Sequence, residues 1–253
     1  MREETSQVRL DVGTLSFAAG FVDTCVFVGL YGLFTAHITG NIALIGAAVV
    51  HGSGGEFAKL LALPMFVIAV MLTALAAMAL RGAERVRLPL LLATEGLLLA
   101  LSALTVAAAA PFASPDVPAA TVAGMLSVAA MGVQNALMRI EFTAHPSTTV
   151  MTVNVTQLVI DAVASFAPRA ITGGGDPARA ALARERLRRL WPPACSFLLG
   201  AVCGAAGYAL AGLEALLLPA LLCLTLAAIV RRSKTRPAGT TPSAERGLGS
   251  GSG

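Results

Sequence analysis

The sequence predicts an all-α integral membrane protein of about six transmembrane helices plus two short interrupted, re-entrant half-helices, divisible as a 3+3 inverted repeat. Three observations lead there. Of 253 residues, 56% are hydrophobic and 13% charged, against about 45–50% and about 25% in soluble domains. The apolar residues run in stretches close to the ~20 needed to span a hydrocarbon core, rather than alternating with polar ones. Two apolar stretches are too short to span, and each follows a polar segment. A soluble globular enzyme is thereby excluded. Basic residues exceed acidic ones, 18 to 14, but they lie mostly in short loops and the tail, a topology signal rather than a nucleic-acid patch. No nucleic-acid partner is expected. Cys25, Cys195, Cys203 and Cys223 sit inside apolar runs without paired spacing, so neither a disulfide framework nor a metal site is indicated.

Residues 1–12 mix acids and bases and precede an apolar run over 13–34, too long for the core of a secretory signal and therefore expected to be retained as a span. After Thr35 to Asn41 comes an apolar piece over 42–50. Its nine residues make a helix of roughly 14 Å, short of a core about 30 Å thick. Spans follow at about 60–80, 88–110 and 119–138, the last after a Pro-rich break. Residues 139–149 are polar, and 150–166 are apolar but hold Thr152, Asn154, Gln157 and Asp161, making a second interrupted element. Residues 177–191 read as an amphipathic helix whose Arg179, Arg184, Arg186, Arg188 and Arg189 meet an anionic leaflet. Two last spans, 195–213 and 214–230, lead to a basic, Gly/Ser-rich tail over 231–253 expected to be disordered. Gly173 to Gly175 reads as a flexible loop rather than a phosphate loop, lacking the flanking strand and Lys-Ser or Lys-Thr.

Basic residues decide the span count, because cytoplasmic loops are enriched in them. Eight spans place 14 of the 18 bases inside; six spans with two re-entrant pieces place 16 inside, Lys59 alone outside and Arg139 within an interrupted element. Six is preferred, with both termini cytoplasmic. The chain is then a single membrane domain over 13–230 with antiparallel pseudo-repeats at about 13–110 and 119–230. Phe34-Thr35-Ala36-His37 echoes Phe142-Thr143-Ala144-His145, and a T-x-N follows each, at 39–41 and 152–154.

Non-helical backbone at membrane depth requires protein or water partners. Thr39, Gly40, Asn41, Thr152 and Asn154 are therefore candidates for lining a polar cavity, where exposed N–H groups would attract an anion or polar solute. The alternative is that they cap helices and bond across the bundle. Asp23 and Asp161 lie in apolar surroundings where a charge costs about 2.5–3.5 kcal/mol. Each couples a proton or cation, or else accepts hydrogen bonds from Gln134, Asn135 or the opposite T-x-N. Gln157 completes this polar set. His37 and His145 border the interruptions as proton relays or as interfacial caps. Glu95 lies within an apolar span as a further functional candidate, and Glu214 near a span end as an interfacial one. No catalytic motif or metal cluster is recognisable, so no enzyme activity or cofactor is expected.

Gly20-Phe21-Val22-Asp23, His37-Ile38-Thr39-Gly40-Asn41, Met131-Gly132-Val133-Gln134-Asn135-Ala136 and the run from Thr148 to Gln157 together resemble the bacterial YoaK family, over roughly residues 15–230. The resemblance implies a multi-pass inner-membrane protein; it implies no activity and no catalytic residues. Val153 stands where the family's second motif has glycine, which argues against identical roles for the two half-sites. The function expected is that of a small transporter or channel for a polar or anionic solute. The rival is a non-transporting scaffold that binds lipid or a partner protein. A homo-oligomer is compatible with either.

Overall fold

The computed structural model describes residues 2–51, 56–110, 112, 114, 117–143, 145, 148–149, 151–166 and 177–235, with side chains described from residue 11 to residue 233 except at residue 51. The Gly173 to Gly175 run and the tail beyond residue 235 lie outside the described residues. Eight α-helices and one 3-10 helix make up the described fold, with no strand among those residues: α1 (Arg2–Gly29), α2 (Ile38–His51), α3 (Glu56–Ala79), α4 (Glu84–Ala109), α5 (Pro118–Glu141), α6 (Met151–Phe166), α7 (Pro177–Ala211), a 3-10 turn (Gly212–Leu216) and α8 (Leu217–Thr235).

Five stretches are long and apolar enough to cross a membrane: Asp11–Gly29, α3, α4, α5 and the 57 residues Pro177–Ser233. As one straight helix the last would run about 85 Å. It is instead broken at Gly212, whose φ of +62° glycine adopts readily. α7 packs on α1, and α8 packs on α4. The outer faces are apolar. Leu60, Leu63, Val67, Met71, Leu75 and Met78 of α3 are all exposed, as a lipid-facing helix requires. Burial orders the bundle: 78% of the α5 window is buried against 22% for α3, so α5 is central and α3 peripheral. The protein is thus an all-helical, multi-pass, membrane-embedded fold.

Several boundaries differ from those the sequence predicts. The first helix ends at Gly29 rather than at residue 34, because Tyr31 and Gly32 turn into positive φ (54° and 82°). Gly32 N–H then closes on Phe27 O at 2.9 Å, a Schellman-type ending. α2 begins at Ile38, so Thr39, Gly40 and Asn41 lie in its first turn rather than ahead of it. The amphipathic segment and the following span form one continuous helix, α7, through Pro192 and Pro193. Proline lacks the N–H that would close on the carbonyl four residues back, so Arg188 and Arg189 carbonyls lose their helical partners without the helix ending. The helix α8 continues to Thr235, past the expected start of the tail at 231.

Helix pairing follows a regular scheme: α1 packs on α7 as α5 packs on α3, and α2 lies against α3 as α6 lies against α7. The α1–α7 seam is the closest approach. A Cβ added at Gly200 or Gly204 would meet Phe17 O or Phe21 O at 2.1 or 2.3 Å, and one at Gly20 would meet Phe197 O at 2.1 Å. Small residues let the backbones touch, which is how helices associate where lipid supplies no hydrophobic drive. Overpacking a tight interior typically costs about 1–3 kcal/mol, and a clash with backbone relaxes least. Gly204→Leu is therefore expected to lower the detergent-solubilised unfolding midpoint markedly, whereas Val202→Ala, at a position 68% exposed, leaves it unchanged. Equal midpoints for the two variants would contradict this seam.

Candidate functional site

Asp23 lies six residues before the end of α1, about 9 Å below that end at 1.5 Å per residue. The chain after the Tyr31-Gly32 turn comes back alongside α1 to reach it. Asp23 Oδ1 accepts three hydrogen bonds, from Thr35 N–H (2.8 Å), Thr35 Oγ1 (3.0 Å) and Ala36 N–H (2.7 Å). Its Oδ2 lies 2.6 Å from His37 Nδ1. The carboxylate thus satisfies the peptide groups of a non-helical segment held inside the bundle. A charged acceptor makes these bonds stronger than neutral ones. With Nδ1–H donating to Asp23, the His37 ring presents Nε2 outward. The side chain is 38% exposed and its ring edges against Phe34 and Phe197.

Asn41 closes the same loop from the other side. Its Oδ1 accepts from Phe34 N–H (2.9 Å) and its Nδ2 donates to Phe34 O (2.8 Å), so both amide groups are committed to one peptide. Gly40 is needed beneath it: a Cβ there would lie 2.8 Å from the Phe34 ring. Thr39 is exposed. Of the first set, the structure brings Asp23, His37 and Asn41 around the 34–37 segment and leaves Thr39 outside the cluster. Asp23 takes its donors from this local loop rather than from Gln134, Asn135 or the T-x-N at 152–154.

The second interrupted element is gripped by α5. Gln134 Nε2 donates to Leu15 O and to Thr148 Oγ1, both at 2.8 Å. Thr149 Oγ1 donates to Asn135 Oδ1 at 2.6 Å, while Asn135 Nδ2 donates to Met131 O at 2.8 Å. α6 starts two residues later. Asn154 is buried, Thr152 is exposed and Gln157 is half-buried. Asp161 is fully buried and faces α7, where Arg186 reaches it through Nε and Nη2, at 2.9 Å for the shortest contact. Arg184 Nη2 donates to Ser165 O at 3.3 Å. Arg184 and Arg186 are exposed, as the sequence predicts, and also brace α6, because a buried carboxylate needs a hydrogen-bonded partner. Arg179, Arg188 and Arg189 are exposed too, and Arg189 pairs with Glu185 one turn back. Arg188, Arg189, His145, Val12, Pro192 and Pro193 line a cleft.

A correspondence between the two grips escapes the Phe-Thr-Ala-His echo. Gly20-Phe21-Val22-Asp23 and Gly132-Val133-Gln134-Asn135 each open on a glycine pressed against a neighbouring helix, Gly20 on Phe197 of α7 and Gly132 on Phe66 and Ala69 of α3. Each closes on a side chain that holds a threonine ahead of a short helix, Thr35 and Thr149. Thr35, Thr148 and Thr149 are the residues that sequence reasoning missed. The available signal was the recurrence of Gly-x-x-Asp/Asn ahead of a threonine, 12 residues on in the first case and 14 in the second. Among the described residues no group of three or more His, Cys, Asp or Glu side chains is placed to hold a metal ion.

These features define a class: a multi-pass helical membrane protein with two short helices entered through polar, non-helical segments. The chain belongs to a protein family of unknown function, DUF1275, whose model matches residues 12–229. No curated protein and no solved structure matches it.

The Asp23 grip generates a direct expectation. A cysteine at position 36 in a background lacking Cys25, Cys195, Cys203 and Cys223 reports release of the loop. Asp23→Leu removes the acceptor for three donors. A hydrogen bond to a charged group is worth about 1.5–3 kcal/mol, so thiol labelling at position 36 is expected to accelerate by at least about tenfold. An unchanged rate would mean that Asp23 does not hold the loop.

Proposed function

We propose that this protein is a small transporter or channel of the bacterial inner membrane, passing a small polar or anionic solute between two antiparallel halves. In this reading the halves are residues of about 13–110 and 119–230, six helices cross, α2 and α6 are re-entrant, and both termini are cytoplasmic. The DUF1275 membership fits the resemblance to the YoaK family, whose members this reading takes to share the architecture. The observation that carries it is the pair of polar grips, Asp23 on Thr35 and Ala36 and Asn135 on Thr149. Each supports an irregular backbone at membrane depth, and such backbone persists where it lines a route or is buried in protein. Broken elements in antiparallel repeats are the usual construction of a midplane binding site.

His37, whose side chain is 38% exposed, is in this reading the contact for solute or proton, while Asp23 orients it. Thr39, Gly40, Thr152, Asn154 and Gln157 remain candidates for the route, Asn41 for the loop that shapes it. Chemistry on the solute is not part of this reading, and neither is a cofactor.

A second reading has a specific observation behind it. Asn41 spends its whole amide on Phe34, and Asp161 is committed to Arg186, as helix packing in a lipid-binding scaffold would require. The exposed Arg179 and Arg188, with the cleft at Arg188 and Arg189, suit anionic headgroups in either case.

Proteoliposomes separate the two. Transport predicts saturable uptake of at least one of chloride, formate or glycerol above protein-free vesicles, reduced to the vesicle background by His37→Phe and by Asn154→Leu in protein that still inserts. Uptake at background for all three probes, with tight binding to phosphatidylglycerol vesicles, would favour the scaffold and contradict transport of this solute class.

A further inference from the structure

α4 and α5 share a polar line that neither grip accounts for. On α4, Ser102, Glu95 and Leu88 recur at seven-residue spacing; on α5, Ser127, Gln134 and Glu141 recur at the same spacing. Seven residues is close to two turns, so each set lies along one helix face. The outer rungs are made by direct contact. Ser102 Oγ and Ser127 Oγ are 2.9 Å apart, and Arg87, next to Leu88, donates to Glu141. The antiparallel register between those rungs brings Glu95 and Gln134 to the middle one.

Both side chains are fully buried, each at 0% exposure. Both also keep one oxygen without a hydrogen-bond partner among the described residues, Oε2 of Glu95 and Oε1 of Gln134. Their remaining polar atoms are occupied. Cys223 Sγ of α8 donates to Glu95 Oε1 at 3.3 Å, and Gln134 Nε2 is shared between Leu15 O and Thr148 Oγ1. Elsewhere on the elements packed against α4, the charged groups are Arg139 and Glu141 near the end of α5, Glu214 in the 3-10 turn, and Arg231, Arg232 and Lys234 at the end of α8. Glu141 is taken by Arg87, and α8 faces Glu95 with the Cys223 thiol.

A bare carboxylate here would be a buried charge supported by one weak thiol donor, a costly arrangement. An amide oxygen left without a donor costs about 1–3 kcal/mol more. Hard metal cations demand six or more oxygens, and the nearby Leu15 and Thr148 oxygens already accept from Gln134. A single hydrogen meets both deficits.

We propose that Glu95 is a proton-binding site in the membrane interior, its carboxyl donating a hydrogen bond from Oε2 to Oε1 of Gln134. When the proton leaves to water, the carboxylate and the amide oxygen face each other as two acceptors, and the seam between α4 and α5 must open or take in solvent. Because Gln134 also holds Thr148, the state of Glu95 is transmitted to the segment entering α6. This site adjoins the second grip through Gln134, and it stands whether or not a solute crosses.

The test is infrared difference spectroscopy of the full chain in nanodiscs, titrated with acid and base. The wild type is expected to show a protonated-carboxyl C=O stretch that persists through neutral pH. Glu95→Gln, which keeps a donor for Gln134 and hence the fold by circular dichroism, is expected to lose that band. In Gln134→Met the band is expected to persist at higher frequency, freed of its hydrogen bond. Identical spectra for wild type and Glu95→Gln at neutral pH would overturn the proposal, as would a Glu95 band that titrates away near the ordinary glutamate value of about 4.3. A band whose frequency ignores Gln134→Met would overturn the shared proton.

Discussion

Unsatisfied backbone is the constraint on which this structure turns. Inside a bilayer each peptide group without a partner costs several kcal/mol, so chains cross as helices. Residues 30–37 break that rule. They leave α1 through the Tyr31-Gly32 turn, return along it, and survive because one carboxylate, Asp23, takes the N–H groups of Thr35 and Ala36, while Asn41 takes both groups of the Phe34 peptide. An acidic residue that hydropathy alone would count against α1 is thus the group that holds the non-helical entry to α2.

The segment entering α6 is held by a related arrangement with different charge. Asn135 stands where Asp23 stands and holds Thr149 through a neutral hydrogen bond, and Gln134 beside it ties Thr148 to the α1 backbone. Charge enters further along α6, where Asp161 meets Arg186. A neutral grip is weaker than an ionic one, and the brace from α7 supplies what α2 has no need of. The two grips therefore differ in chemistry: a carboxyl anchor beside an imidazole ahead of α2, an amide anchor ahead of α6 with the Asp161–Arg186 pair further along.

Much of the fold is legible in the sequence because it depends on length and composition. The spans, both short helices and the polar segments ahead of them follow from runs of apolar residues measured against a fixed membrane thickness. Asp23, His37, Asn41, Gln134 and Asn135 also stand out, as polar residues where polarity is costly. What stayed illegible depends on pairing. That Asp23 bonds its own loop, that Arg186 reaches Asp161, and that Thr35, Thr148 and Thr149 are the gripped residues follow from how helices dock. A threonine at a helix entry looks the same in sequence whether it caps, packs or is held. The ends of α1 and α7 were misjudged for a similar reason. Hydropathy cannot register the positive φ at Tyr31, and the consecutive prolines at 192 and 193 suggest a break where the helix in fact continues.

The central claim is that α2 and α6 enter and leave the membrane on the same side, which fixes six crossings. Sided labelling of single cysteines at positions 54, 85 and 179, with a membrane-impermeant thiol reagent in a cysteine-free background, tests it most directly. The account predicts that position 54 labels only from outside the cell and that positions 85 and 179 label only from the cytoplasm. Label at 54 from the cytoplasm and at 85 from outside would mean that both short helices span, and would contradict it.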